Sequence, residues 1–162
     1  MTDLRAVRPV VFLDVDGVLN HVGCNWETNA VHSIDPACVQ QLRRILDNTG
    51  AHIVLSSVWR LSRSSLDALA VAGVPVWDLT PVLDDGLERR AGEIRAWLDA
   101  HPGITQWAVL DDEIDADLRD GSFFRTDFMD GGLTEQIATE VLAHLRRALA
   151  ASPRAEPHER TE

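Results

Sequence analysis

Short apolar runs alternate along this chain with longer stretches of helical periodicity. Pro9-Val10-Val11-Phe12-Leu13 reads as a buried strand and stops abruptly at Asp14. From Pro36 to Asn48, Val39, Leu42, Ile45 and Leu46 take helical spacing. Asp35 stands as the N-cap, Pro36 at the first helical position and Gly50 beyond the end. Ala51 to Leu55 predicts a second buried strand, followed by Ser56-Ser57. Ser62 to Ala72 predicts a helix through Leu66, Leu69 and Ala70, then Gly73 and a short strand at Val74-Pro75-Val76-Trp77. Leu87 to Ala100 predicts another helix, with Leu87, Ile94, Trp97 and Leu98 inward. Gln106 to Leu110 is the next strand, stopped by Asp111-Asp112. Ser122 to Thr126 predicts a last short strand, and Thr134 to Leu149 a closing helix capped by Thr134.

Strands that alternate with helices imply βαβ units with right-handed crossovers. The fold class is therefore α/β: a three-layer, Rossmann-like arrangement with a central parallel sheet. The expected organisation is one domain over residues 1–150. Residues 151–162 are polar, Pro-containing and aperiodic, so a disordered tail is expected there.

Composition narrows the function. No apolar stretch approaches the roughly 18–20 residues that cross a bilayer, so no membrane partner is expected. The opening residues show no basic segment followed by an apolar one, which makes cytoplasm the expectation. The net charge is −11, and all 15 basic residues are Arg. That acidity argues against extended nucleic-acid binding while leaving room for Arg residues that grip a single phosphate. Without Lys, Schiff-base chemistry on a lysine is excluded. Cys24 and Cys38 fit no CxxC redox pair. Together with His21 and His32 they also fit no standard zinc spacing.

Ligands of open parallel sheets bind beyond the carboxyl ends of the strands. Three strands here end in polar residues: Asp14-Val15-Asp16-Gly17, Ser56-Ser57 and Asp111-Asp112. Four carboxylates gathered at one edge repel one another, and a bound cation is the natural compensation. All-oxygen ligation favours Mg²⁺ over zinc.

Asp14-Val15-Asp16-Gly17-Val18-Leu19 resembles the DxDGV/T first motif of the haloacid dehalogenase (HAD) superfamily of phosphotransferases. Ser56 resembles its second motif, and a basic residue before the fourth strand and the acids after it resemble the third and fourth. Leu55-Ser56-Ser57-Val58-Trp59-Arg60 and the segment from Arg89-Arg90 through Glu93-Ile94 to Trp97-Leu98 look more particularly like the small, capless branch. That branch includes the phosphatase modules of polynucleotide-end repair proteins.

The resemblance implies a Mg²⁺-dependent phosphomonoester hydrolase working through an aspartyl-phosphate. Asp14 would be the nucleophile, and Asp16 the acid and then the base. Ser56 would bind a phosphoryl oxygen, and Gly17 would bend the chain and offer its N–H to the phosphate. Ser57 and Arg60 are further candidates for substrate contact, with Arg60 equally readable as a helix-capping residue. Mg²⁺ would be held by Asp14, the Asp16 backbone carbonyl, Asp111 and Asp112.

Where the superfamily usually has Lys, this chain can offer only Arg. Register with Ile94 selects Arg89; a one-residue slip selects Arg90. Haloacid dehalogenases proper lack the second acid, so Asp16 favours a phosphatase. The expected ligand is a phosphorylated small molecule, a nucleotide or a polynucleotide end. The segment Asn20 to Ser33 is expected as a minimal flap carrying His21, Asn25, Trp26 and His32, with Trp26 free to stack on a base. Trp59, Trp77, Trp97 and Trp107 read as core, and Asp127 and Asp130 as loop and cap residues. The competing reading is a non-catalytic module that binds a phosphorylated ligand or a partner in the same pocket.

Overall fold

The computed structural model describes residues 7–26, 33–84 and 89–151. Five parallel strands form one sheet: β1 Val10–Leu13, β2 His52–Leu55, β3 Val76–Leu79, β4 Trp107–Asp111 and β5 Phe123–Arg125. Their spatial order is β3-β2-β1-β4-β5. Four helices complete the described chain: α1 Pro36–Thr49, α2 Arg63–Val71, α3 Arg89–Ala100 and α4 Glu135–Ala151.

The strand order follows from crossover handedness. From β1 the chain steps outward to β2 and β3, so right-handed connections place α1 and α2 on one face. The step back across β1 to β4 reverses direction and sends α3 to the opposite face. The core reports this directly. Val11, Leu13, Ile53, Leu55 and Leu110 pack with α1 and α4 through Leu42, Ile45, Val141 and Leu145. Val10, Phe12, Val54 and Val109 instead meet Ile94 and Trp97 of α3. Alternate residues of β1 are thus buried on both sides, which explains its unbroken apolar run. The reversal between β1 and β4 is the topological switch point, where a ligand crevice is expected.

Local signals account for the element ends. Asp35 caps α1 by accepting from the Ala37 N–H at 2.8 Å, with Pro36 in the first turn and Gly50 closing the helix at φ 68°. α4 continues two residues beyond the expected Leu149. β3 begins at Val76, two residues later than expected. Pro75 has no N–H to give the ladder, and pairing starts with Ile53↔Val76. Because β3 is an edge strand, Trp77 is half exposed rather than core. It stacks on His52 instead, with ring centroids 4.5 Å apart. Trp59 and Trp97 are buried as expected, and Trp107 only partly. Short 3₁₀ turns at Val58–Leu61, Ile114–Ala116 and Phe128–Asp130 were not expected, being too brief to generate a periodicity.

Leu87 and the expected 151–162 tail, apart from Ala151, lie outside the described residues, as does part of the expected Asn20–Ser33 flap. Among the described residues no helix is long and apolar enough to cross a membrane.

Candidate active site

Register at the sheet edge brings the distant polar residues together. Leu13 pairs with Leu55 on one side and Leu110 on the other. The ladder runs one step further, through Ser56 N–H to Leu13 C=O and Asp14 N–H to Leu110 C=O, both 2.9 Å. Asp14, Ser56 and Asp111 therefore stand side by side. Strand alternation turns all three toward the α3 face, the side of Phe12, Val54 and Val109.

From the first turn of α3, Arg90 reaches into this row. Its Nη1 lies 2.9 Å from Asp14 Oδ1 and 2.8 Å from Asp111 Oδ2. Asp112 completes the group from the other side, against the turn that leaves β1. Gly17 is required there on two counts. Its φ is +79°, and a Cβ would fall 2.3 Å from Asp112 Oδ2.

Asp14, Asp111 and Asp112 each offer an oxygen within 4.8 Å of the others. Burial raises the Asp14 pKa above the ordinary carboxylate value even though Arg90 pulls it down. Burial and the neighbouring Asp14 push Asp111 up to about 8 and Asp112 up to about 6. One guanidinium does not compensate three acids so closely packed. The donors are all hard oxygens, one is half open to solvent, and their charge is in excess. Such a set fits a divalent cation.

The remaining expected residues divide. Ser56 is fully buried and its Oγ has no hydrogen-bond partner among the described residues. An orphaned buried hydroxyl costs about 1–3 kcal/mol, which a ligand oxygen would recover. Ser57, also buried, accepts from the Trp59 backbone N–H at 3.2 Å and acts to lower the Asp14 pKa against burial. Asp16 is exposed and stands outside the three-acid cluster. Its Oδ1 accepts from Asn20 Nδ2 at 2.8 Å and its Oδ2 from Trp59 Nε1 at 3.1 Å.

Three expectations are corrected by geometry. Arg90, not Arg89, meets the acids. Arg89 sits about 100° further round the helix, half exposed, with Nε on Glu93 at 3.2 Å. Arg60 is neither open to substrate nor a helix cap: it is 8% exposed and donates to four backbone carbonyls and Glu93. The Gly17 N–H is not free for a phosphate, since it donates to Asn20 Oδ1 at 2.9 Å.

Sequence reasoning missed Asn20 as a site residue and treated Trp59 as core alone. The available signals were an Asn one helical turn beyond Asp16 and a Trp two residues after the Ser-Ser pair. Glu93 was visible only as part of a resemblance.

Away from the acids, His21, Asp35 and Cys38 also gather, but each has a protein partner. His21 Nε2 meets Asp35 Oδ2 at 2.5 Å, and Cys38 Sγ donates to the Gly131 carbonyl at 3.4 Å. The group ties the loop after β1 to the start of α1. His32, considered with them, lies outside the described residues. Trp26 packs against Phe128 at 6.0 Å, its indole N–H on the His21 carbonyl. Asp127 caps its turn as expected, accepting from Met129 N–H.

Comparison with curated proteins and with solved structures finds no match. Comparison with protein families does. The matching family is described as the HAD domain in Swiss Army Knife RNA repair proteins, and it covers residues 10–138. That span starts at β1, ends within α4 and contains every residue of the acidic site. The chain belongs to this family, a HAD-superfamily module of RNA repair proteins.

Proposed function

We propose that this domain hydrolyses phosphomonoesters at polynucleotide ends, in a Mg²⁺-dependent reaction that passes through a phosphorylated Asp14. One observation carries the reading: Asp14 and Asp111 share a single guanidinium at the switch point of the sheet, beside an orphaned serine hydroxyl.

The chemistry needs two displacements at phosphorus. An Asp14 carboxylate oxygen attacks, and the bond to the leaving oxygen breaks as Asp16 gives that oxygen a proton. Asp16, now ionised, takes a proton from water, which attacks the same phosphorus and breaks its bond to Asp14. Inorganic phosphate leaves and Asp14 is regenerated. Arg90 holds Asp14 in place and offers its remaining N–H groups to the equatorial oxygens, where charge accumulates. Ser56 donates its free hydroxyl to another of those oxygens. A Mg²⁺ ion on Asp14, Asp111 and Asp112, aided by the Asp16 backbone carbonyl, would neutralise charge on the phosphoryl group. The family description supports an RNA end as the substrate.

The test is release of inorganic phosphate from 3′- and 5′-phosphorylated oligonucleotides, nucleoside monophosphates and p-nitrophenyl phosphate. Activity is expected with Mg²⁺, lost with EDTA and restored by Mg²⁺. Metal-loaded protein that binds phosphate analogues yet turns over none of these substrates would mark a binding module instead.

Two variants check the geometry. Arg90→Gln is expected to lower kcat/KM on p-nitrophenyl phosphate by about 10²–10³-fold, the usual loss for a donor aimed at transition-state charge. Arg89→Gln should change it less than about threefold, because Arg89 lies half exposed on the helix flank and reaches Glu93 rather than the three acids. The reverse ranking would return the role to Arg89. Gly17→Ala forces Asp112 aside, so the Mg²⁺ concentration for half-maximal activity should rise about 10–100-fold, read by metal titration.

A further inference from the structure

We infer that Trp59 and Asn20 are positioning residues for Asp16, holding the proton-transfer carboxyl in its working orientation before substrate arrives. The inference rests on the hydrolase reading above and adds the means by which its acid is aimed.

An exposed aspartate normally samples several rotamers, yet Asp16 is held at both oxygens, by Asn20 Nδ2 at 2.8 Å and Trp59 Nε1 at 3.1 Å. Neither donor is an accidental surface neighbour. Asn20 is fully buried, and its Oδ1 accepts the Gly17 N–H at 2.9 Å, which fixes the amide so that its NH₂ faces Asp16. Trp59 is 7% exposed, its ring packed in the main core with the indole N–H directed out to the carboxylate. A buried indole N–H needs an acceptor, and here that acceptor is Asp16.

Trp59 also links the two acids. Its backbone N–H donates to Ser57 Oγ, and the Ser57 side chain in turn favours the charged Asp14 carboxylate. The turn after β2 thus sets nucleophile and proton donor in one frame. Each carboxylate oxygen retains a lone pair beyond the tether, so Asp16 can still take and give a proton toward solvent or substrate. Burial of the two tethering groups keeps the orientation from within the body of the domain.

Leaving-group chemistry separates aiming from general stability. The parameter kcat/KM covers steps through the first irreversible one, here phosphoryl transfer to Asp14. Protonation of the leaving oxygen matters there for an alkoxide and little for p-nitrophenolate. Trp59→Phe and Asn20→Ala are therefore each expected to lower kcat/KM by about 10-fold or more on a 3′-phosphorylated oligonucleotide. On p-nitrophenyl phosphate each should stay within about threefold of the parent. Asp16→Asn should show the same contrast more strongly, about 10²–10⁴-fold. Adding Trp59→Phe to Asp16→Asn should then cost nothing further on the oligonucleotide.

Equal losses on both substrates, no loss on either, or full additivity with Asp16→Asn would overturn the inference while leaving the hydrolase reading intact. A parent protein inactive on both substrates would overturn that reading, and this inference with it.

Discussion

Asp14→Asn is expected to lower kcat/KM by about 10⁴-fold or more on every substrate, the scale seen when an attacking group is removed. The amide oxygen is a poor nucleophile, and neither Asp111 nor Asp16 is free to replace it. Asp111 is pinned by Arg90 and by the Glu113 N–H at 2.9 Å, and Asp16 by its two tethers. The fold should survive. Asn keeps the shape of Asp, and burial already disfavours the Asp14 charge. Arg90 retains Asp111 as a partner. Two measurements decide the matter: turnover together with the thermal midpoint, and acid-quenched labelling with a ³²P-phosphorylated substrate. Label should appear on the parent protein and not on the variant. A variant within tenfold of parent activity would rule Asp14 out as the nucleophile.

How much of this was legible in the sequence depends on what fixed each feature. The strands and helices were legible because burial on both faces writes unbroken apolar runs, as in Val10–Leu13, and burial on one face writes the 3.6-residue period of α1. The edge of the acidic site was legible because polar residues end those runs abruptly at Asp14, Ser56 and Asp111. The choice between Arg89 and Arg90 was not. A one-residue slip turns a helix by about 100°, and no apolar pattern pins the first turn of α3 closely enough to decide it. Arg60 misled for a different reason. Arg is usually exposed, and its burial depends on carbonyls at Thr80 and Pro81 and a carboxylate at Glu93, all remote in sequence. Gly17 was correctly marked as a residue for a tight bend. That its N–H was already committed to Asn20 could be seen only once the turn was built.

Glu93→Ala is expected to cost about 3–5 kcal/mol of folding stability, the penalty for stripping the partner from a buried charge. Glu93 and Arg60 are both almost wholly buried, and their side chains meet at 2.8 Å. Arg60 has five N–H groups. They are matched by the carbonyls of Thr80, Ser56, Ser57 and Pro81 and by Glu93 Oε2. Glu93 Oε1 is also occupied, by the Leu83 N–H and by Arg89 Nε. The pair thus joins the end of β2, the loop after β3 and the first turns of α3. Removing the carboxylate leaves a guanidinium that burial penalises, and frees the Leu83 N–H in a part-buried position. At about 2–4 °C per kcal/mol for a chain of this size, the thermal midpoint should fall by roughly 6–20 °C. Glu93→Gln keeps the shape but not the charge and should fall between the two. Activity measured well below the midpoint should also drop, because the same strut carries Ser56 on one side and Arg90 on the other. A midpoint within 2 °C of the parent would mean that water enters and solvates Arg60, and that the strut sets neither the stability nor the spacing of the two groups meant to hold the phosphate.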